Sequence, residues 1–458
     1  MRTTEETKSA EEATNVRWLI IVLAFLGTAV SYVDRANLGV AMPYVQRELG
    51  LGPAAAGLAL GAFFWTYSFF QLPSGWFVDR VGPRVAYTVA VVWWSAFTAA
   101  TASARGIASL FGLRLLLGAG EAPAYPTNAK VVSEWFPRRE RAFATAIFDS
   151  GARVGPAAAL PIVTGVFSAL GWRASFVITG ALGLVWAALW YRFYRHPRQH
   201  PWVSARELAY IDDGRSASEA AAAAGVAAAA EPIRWGDLFR YRNVWGMMLG
   251  FFCLSFVIYF FITWFPSYLV KARGFTLLKL GAYGSIPALF AIPCGYLGGL
   301  TSDRLFRRGA GLTRARKIPI VSGMLMSSCI ALAVLVESAA AALALLALCY
   351  GSLAFAAAAV WSLPSDVAPS PRHVASLGGI QNFASNLAGI CIATFVGVMV
   401  GKTGGFVVPL VVAGGFSLLG AFSYLVIVGD VAPLPALRRA GDTRPGPAAA
   451  GASRPGDR

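Results

Sequence analysis

Asp34 and Arg35 lie in the first long apolar segment of the chain, and Arg114 and Glu121 in the fourth. A charge at the centre of a membrane helix costs at least about 3 kcal/mol on insertion scales, so such residues persist mainly where they line a path for a substrate or a proton. Arginine grips a carboxylate through two parallel N–H bonds, and a carboxyl beside a movable arginine changes protonation as its surroundings change. Arg114 and Glu121 are seven apart, which brings them near one face of a helix and lets them line one cavity. These types and spacings point to a transporter with an anion site and a proton site, although the same charges could form a static salt bridge between the first and fourth helices. His196, His200 and His373 all fall in connections, so carboxylates must carry any proton.

The elements that position these residues follow from composition. Of 458 residues 57% are hydrophobic and only 14% charged, against about 25% charged in a typical soluble domain. Apolar stretches of about 20 residues, enough to cross a hydrocarbon core of roughly 30 Å, recur about twelve times. Backbone groups in lipid must be satisfied within the segment, so the spans are helices. The pattern predicts an all-α membrane protein: a leader over 1–16, six spans within 17–194, a polar linker over 195–243 with an Ala-rich run at 220–230, six more spans within 244–428, and a disordered tail over 429–458. The first span is placed at 17–41, which puts Asp34 in its outer half. No cleavable signal is evident. Most of the 39 Lys and Arg sort to the termini and the even-numbered connections, which places both termini in the cytoplasm. They do not cluster into a nucleic-acid groove. The five cysteines show no metal-like spacing, and we read them as small packing residues.

Charge pairs and loop motifs add detail. Asp149 and Arg153 are four apart in the fifth span, so they could close on each other, or Arg153 could reach the cavity and meet an anion. Pro123 interrupts the helical ladder just past Glu121. The loop Gly75-Trp-Phe-Val-Asp79-Arg80-Val-Gly82-Pro-Arg84 recurs, shortened, as Gly299-Leu-Thr-Ser-Asp303-Arg304, each copy after the second span of its half. Such an Asp and its basic neighbours can pair across the interface between halves in one conformation and separate in another.

Both copies resemble the hallmark loop of the major facilitator superfamily. The segment around Gly118-Ala-Gly-Glu-Ala-Pro-Ala-Tyr-Pro-Thr-Asn128, the loop Glu134 to Arg141, Tyr32-Val-Asp34-Arg35, Thr263-Trp-Phe-Pro-Ser-Tyr-Leu269 and Gly378-Gly-Ile-Gln-Asn382 with Asn386 resemble its anion:cation symporter family, nearest the bacterial sugar-acid/proton symporters for galactonate, glucarate and hexuronates. The resemblance implies the major facilitator fold, with twelve transmembrane helices in two six-helix bundles, in the bacterial inner membrane as a monomer. It implies uptake of a small organic anion with the proton as coupling ion and no cofactor or metal. It assigns substrate-carboxylate binding to Arg35, proton coupling to Asp34 and Glu121, gating or pKa tuning to Arg114, and cavity positions to Tyr32, Tyr67 and Asn382, with Trp361 and Ser365 in the tenth-helix region. Galactonate-type members carry glutamines where this chain has Ala152 and Phe251, which sets galactonate apart as a substrate. Arg153 could compensate if the substrate has a second carboxylate or is aromatic.

Three other readings compete. The fifth-helix Gly151-x-x-x-Gly155-Pro156 resembles a motif of drug/proton exporters, but cavity arginines repel cationic drugs. A non-transporting nutrient sensor would need a signalling domain. An enzyme would need a metal cluster or an activated nucleophile, and no such spacing is present.

Overall fold

The computed structural model describes residues 14–137, 140–212, 235–369 and 374–434, apart from the side chains at 72, 142, 235 and 375. The expected leader through residue 13, the Ala-rich run, His373 and the tail from 435 lie outside the described residues. The described chain is helical: α1 (Val16–Leu49), α2 (Pro53–Ala100), α3 (Ile107–Glu121), α4 (Ala124–Trp135) and α5 (Arg141–Phe193) in the first half. The second half contains α6 (Arg242–Thr263), α7 (Phe265–Arg273), α8 (Leu277–Tyr283), α9 (Ile286–Arg307), α10 (Leu312–Ser327), α11 (Ala339–Val360), α12 (Leu363–Val367), α13 (Val374–Thr403) and α14 (Val407–Phe422). Eleven segments among the described residues are long and apolar enough to cross a membrane.

One of those segments, Phe143–Phe193, has 51 residues, about 75 Å of helix and more than twice a hydrocarbon core. Gly171 breaks it with φ 82°, a conformation only glycine adopts freely. Neighbours on α1 reveal the reversal. Before the break the two helices run parallel, with Trp18 against Phe143 and Tyr44 against Phe167. After it they run antiparallel, with Asn37 bonded to Ser175 and Thr179 and the Trp186 indole donating to the Leu23 carbonyl. Gly82, with φ 79°, makes the corresponding bend in α2.

Helix α1 is longer than the expected 17–41 span, because Pro43 is accommodated inside it and the helix runs on to Leu49. In a packed bundle neighbouring helices re-satisfy the groups a proline frees. Asp34 is thus the nineteenth of 34 helical residues, just past the middle of α1 in the half that leads away from the termini. The start of α1 is fixed by Glu207 of the helical stretch 205–212. Its buried carboxylate accepts from the Thr14 hydroxyl at 2.6 Å, from the Val16 and Arg17 amides and from the Arg17 guanidinium, satisfying donors that a helix N-terminus leaves free. His200, just before this stretch, packs edge-on against Trp135, and burial lowers its pKa below the ordinary value.

The halves touch at the end of the molecule opposite the termini. Gly57 of α2 faces the Ala393 carbonyl of α13, where a Cβ would come within 2.5 Å, and Gly39 of α1 meets the Ile262 carbonyl of α6 just as closely. Lys271 donates to Gln46 across the same seam. At the termini end, Asp79 pairs with Lys130 at 2.7 Å, while Asp303 and Asp366 share Arg316. The two hallmark-loop acids are therefore paired within their own halves here, not across the interface. Arg84 donates to the Tyr191 carbonyl, and Arg80 stacks on Trp76.

Gly57→Val places side-chain atoms where the seam has backbone. It is expected to disfavour this arrangement by about 1–3 kcal/mol, roughly 5- to 150-fold in population. A Gln46→Cys reporter in that background should gain reactivity towards a membrane-impermeant thiol reagent; unchanged labelling would show that the seam is not close-packed.

Candidate functional site

Arg35 and Glu121 form the centre of the site. Arg35 leaves the middle of α1, and its Nε donates to Glu121 Oε1 at 2.6 Å, with Nη2 also against that oxygen. Neither residue reaches solvent: Glu121 is 0% and Arg35 4% exposed. The guanidinium lies over three aromatic rings, Tyr32 and Phe63 at 4.6 Å and Tyr67 at 4.5 Å. Aromatic faces carry negative charge density, so this box suits a cation taken out of water. Glu121 is the last residue of α3, and Pro123 separates it from α4, so the expected break lies just past the carboxylate.

The other two charges lie in the same buried cluster but make no hydrogen bond to this pair. Asp34 is fully buried, and neither of its oxygens has a hydrogen-bond partner among the described residues. Successive helical residues point about 100° apart, so Asp34 cannot share its neighbour's partner. Arg114 is buried beside Phe63, 5.5 Å from the ring centroid, with Nε and Nη1 unpartnered. Arg114 and Glu121 do lie in one buried cluster, but Arg35 makes the hydrogen bond to Glu121.

Next to this cluster is a cavity between the halves, partly open to solvent. Tyr32, Tyr125, Asp149 and Arg153 form its wall on the first half. Arg153 pairs with Asp149 at 3.3 Å, and the Tyr125 hydroxyl donates to the same carboxylate at 3.2 Å. Both alternatives for this pair therefore hold: it closes on itself and it lines the cavity. Ala152 and Phe251 also line it, so the two departures from the galactonate pattern sit where a ligand would. Trp361 lines the opposite wall, 45% exposed and edge-on to Phe251, near a hydrogen-bonded Ser255–Ser385 pair.

The remaining expected positions lie elsewhere. Tyr67 stacks on Phe63 behind Tyr32 and is buried. Asn382 bonds Gln71 across the two halves at 2.9 Å. Ser365 is exposed on α12, its hydroxyl donating to the Ser362 carbonyl, and does not line the cavity. Sequence reasoning missed Tyr125 and Tyr259 as cavity residues. Tyr125 lies four residues past Glu121, within the quoted fourth-span segment, so its spacing was a usable signal. Tyr259 reaches Asn386 and packs on Phe64 of the other half, and nothing in its local sequence distinguishes it from core tyrosines.

A helical membrane protein whose halves meet around an ion-paired cavity is a transporter by architecture. Residues 24–394 match the family profile described as Major Facilitator Superfamily, and the chain belongs to that superfamily. It is similar to the D-galactonate transporter of Escherichia coli O6:H1, 39% identical over 417 residues covering 91% of this chain and 96% of that one. It also resembles the probable galactarate/D-glucarate transporter GudP of Bacillus subtilis, 36% identical with 92% and 94% covered. A third similar protein is the probable sulfoacetate transporter SauU of Cupriavidus necator, 33% identical with 90% and 94% covered. Among solved structures, the D-xylose-proton symporter has a TM-score of 0.70 at 18% identity, covering 90% of this chain and 98% of that one. A bacterial homologue of the human lysosomal transporter Spinster has a TM-score of 0.69 at 19% identity, with 91% and 95% covered. These two likenesses establish the fold alone.

Removing one member of a buried pair strands the other charge, at about 3–5 kcal/mol. Arg35→Ala should therefore lower the melting temperature of the purified protein, more at alkaline than at acidic pH, because protonation neutralises the stranded Glu121. Arg35→Ala/Glu121→Gln should recover most of the loss in the same thermal-unfolding assay, and no recovery would mean that the pair is not the source.

Proposed function

We propose that this protein is a proton-coupled importer of a sugar acid, working by alternating access in the bacterial inner membrane. In this reading the chain crosses the bilayer twelve times, six in each half, because Phe143–Phe193 accounts for two crossings. Both termini are cytoplasmic, the cavity is open to the inside, and the protein works as a monomer. The substrate class is drawn from the relatives named for galactonate, galactarate and glucarate.

The observation that carries the proposal is the buried Arg35–Glu121 pair beside the cavity. A carboxylate that occupies the anion-binding guanidinium competes with substrate, and a proton on Glu121 removes the competitor. Protonation outside thus favours anion docking on Arg35, and proton loss to the cytoplasm restores the ion pair and expels the anion. Asp34, buried without a partner, suits a group that takes up a proton on one side and yields it on the other, since a fixed unpaired charge there is costly. Arg114, whose Nε and Nη1 make no hydrogen bond, biases that release by its charge. Tyr32, Tyr67 and Asn382 supply hydroxyl and amide groups for the substrate's hydroxyls, Trp361 closes the opposite wall, and Ser365 meets the substrate only if α12 moves inward. The two hallmark loops, with Gly75, Asp79, Arg80, Gly82 and Arg84 in one and Asp303 and Arg304 in the other, brace their own halves as the two rock against each other, Asp79 through Lys130 and Asp303 through Arg316.

The test is uptake of labelled sugar acid into proteoliposomes with the outside acidic. Wild type should accumulate substrate, whereas Glu121→Gln and Asp34→Asn should lose accumulation by more than about tenfold, roughly 1.4 kcal/mol, and Glu121→Gln should keep counterflow exchange. Full accumulation by Glu121→Gln would refute its coupling role.

A further inference from the structure

The Asp149–Arg153 pair repeats, inside the cavity, the arrangement of Arg35 and Glu121. Arg153 is the only cation and Asp149 the only carboxylate among the cavity-lining residues, and their side chains are 29% and 25% exposed. Tyr125 donates to Asp149 as the pair's third member. Asp149 also shares its wall with Tyr32, while Tyr259 and Tyr350 face it from the second half. From α9, Gly295 lies opposite the Arg153 Nε, where its missing side chain leaves only the backbone facing the guanidinium.

The register between α1 and α5 relates the two arginines. Gly151 packs against Phe25 and Ala29, and Gly155 against Ala29 and Tyr32, so the helices run parallel with Gly155 level with Tyr32. Arg153 then lies to one side of that level and Arg35 to the other, their backbones roughly 9 Å apart along the axis. Tyr32 stands between them, stacked on the Arg35 guanidinium and lining the cavity. Guanidiniums on either side of Tyr32 suit a substrate with a carboxylate at each end.

We infer that Asp149, Arg153 and Tyr125 form a second carboxylate subsite, which makes the preferred substrate a sugar diacid that brings a second proton. The inference rests on the proposed sugar-acid transport. One carboxylate docks on Arg35 when Glu121 is protonated, and the other on Arg153 when Asp149 is protonated. A proton from solvent goes onto Asp149, its ion pair with Arg153 opens, and the substrate carboxylate replaces it, so the charge of the cavity is unchanged. Release reverses both steps.

The experiment compares proton-driven uptake of labelled glucarate, a diacid, with that of galactonate, a monoacid, in proteoliposomes. In wild type, glucarate should enter with one more proton than galactonate, read from the substrate and proton gradients at which net flux vanishes. Arg153→Gln should lower glucarate uptake by about tenfold more than it lowers galactonate uptake, and Arg153→Lys should restore part of the glucarate uptake. Asp149→Asn should keep glucarate binding in a thermal-shift assay and lose the extra proton. Equal effects of Arg153→Gln on both acids, or none on either, would overturn the subsite. So would wild-type transport of galactonate without glucarate, which leaves the transport reading standing. Failure of wild type to move any sugar acid refutes that reading, and the inference with it.

Discussion

An arginine buried between helices must keep a counter-charge, and much of the first half is arranged around that need. The desolvation of Arg35 is offset by Glu121 and by the aromatic box of Tyr32, Phe63 and Tyr67, which ties α1, α2 and α3 to one point. The close backbone approaches nearby serve the same end. Gly118 of α3 packs onto the Phe63 carbonyl, and a larger residue would push Glu121 away from α1. Fixing Arg35 on one side of α1 commits the other side. Asp34 must then face into the first half, where Arg114 is the basic group near it but makes no hydrogen bond to it, so an acid without a hydrogen-bonded partner next to a paired arginine follows from helical geometry once Arg35 has chosen Glu121.

The charges were legible because lipid makes them costly, and the two-half organisation because the loop motif repeats. The break at Pro123 was also readable, since proline lacks the donor the ladder needs. Which acid Arg35 would take was not. Asp34, its neighbour on α1, points about 100° away, and whether Glu121 or another acid meets Arg35 depends on the rotation of α1 against α3. The length of α1 was misread for a related reason: Pro43 and Gln46 look like an end, yet neighbouring helices satisfy what Pro43 frees, and Lys271 of the other half partners Gln46. The hallmark acids gave the same difficulty. A sequence shows that Asp79 and Asp303 sit beside basic residues, but whether they pair with Lys130 and Arg316 or across the halves depends on the conformation adopted.

Glycine packing at the end opposite the termini and ion pairs confined to each half at the termini end describe two kinds of contact. The first requires close backbone approach, as at Gly57 and Gly39, and is lost as soon as the halves separate there. The second is indifferent to rocking, because Asp79–Lys130 and Arg316–Asp366 travel with their own halves. A protein that must open one end while closing the other needs this asymmetry: the contacts that hold a state must be separable, and those that hold a half must not be.

In the transport cycle we propose, the same logic makes arginine–carboxylate pairs suited to moving anions against a gradient. A free arginine would bind substrate tightly on both sides and release it slowly, since a ligand held equally in two states shifts neither. An arginine with a resident carboxylate binds substrate only as fast as that carboxylate is neutralised, so affinity follows the proton. In Arg35–Glu121 the resident is sealed behind aromatic rings; in Arg153–Asp149 it faces the cavity and is held by Tyr125. The difference in burial separates their roles, because the sealed pair changes only when the protein moves, while the exposed one answers to ligand and solvent directly.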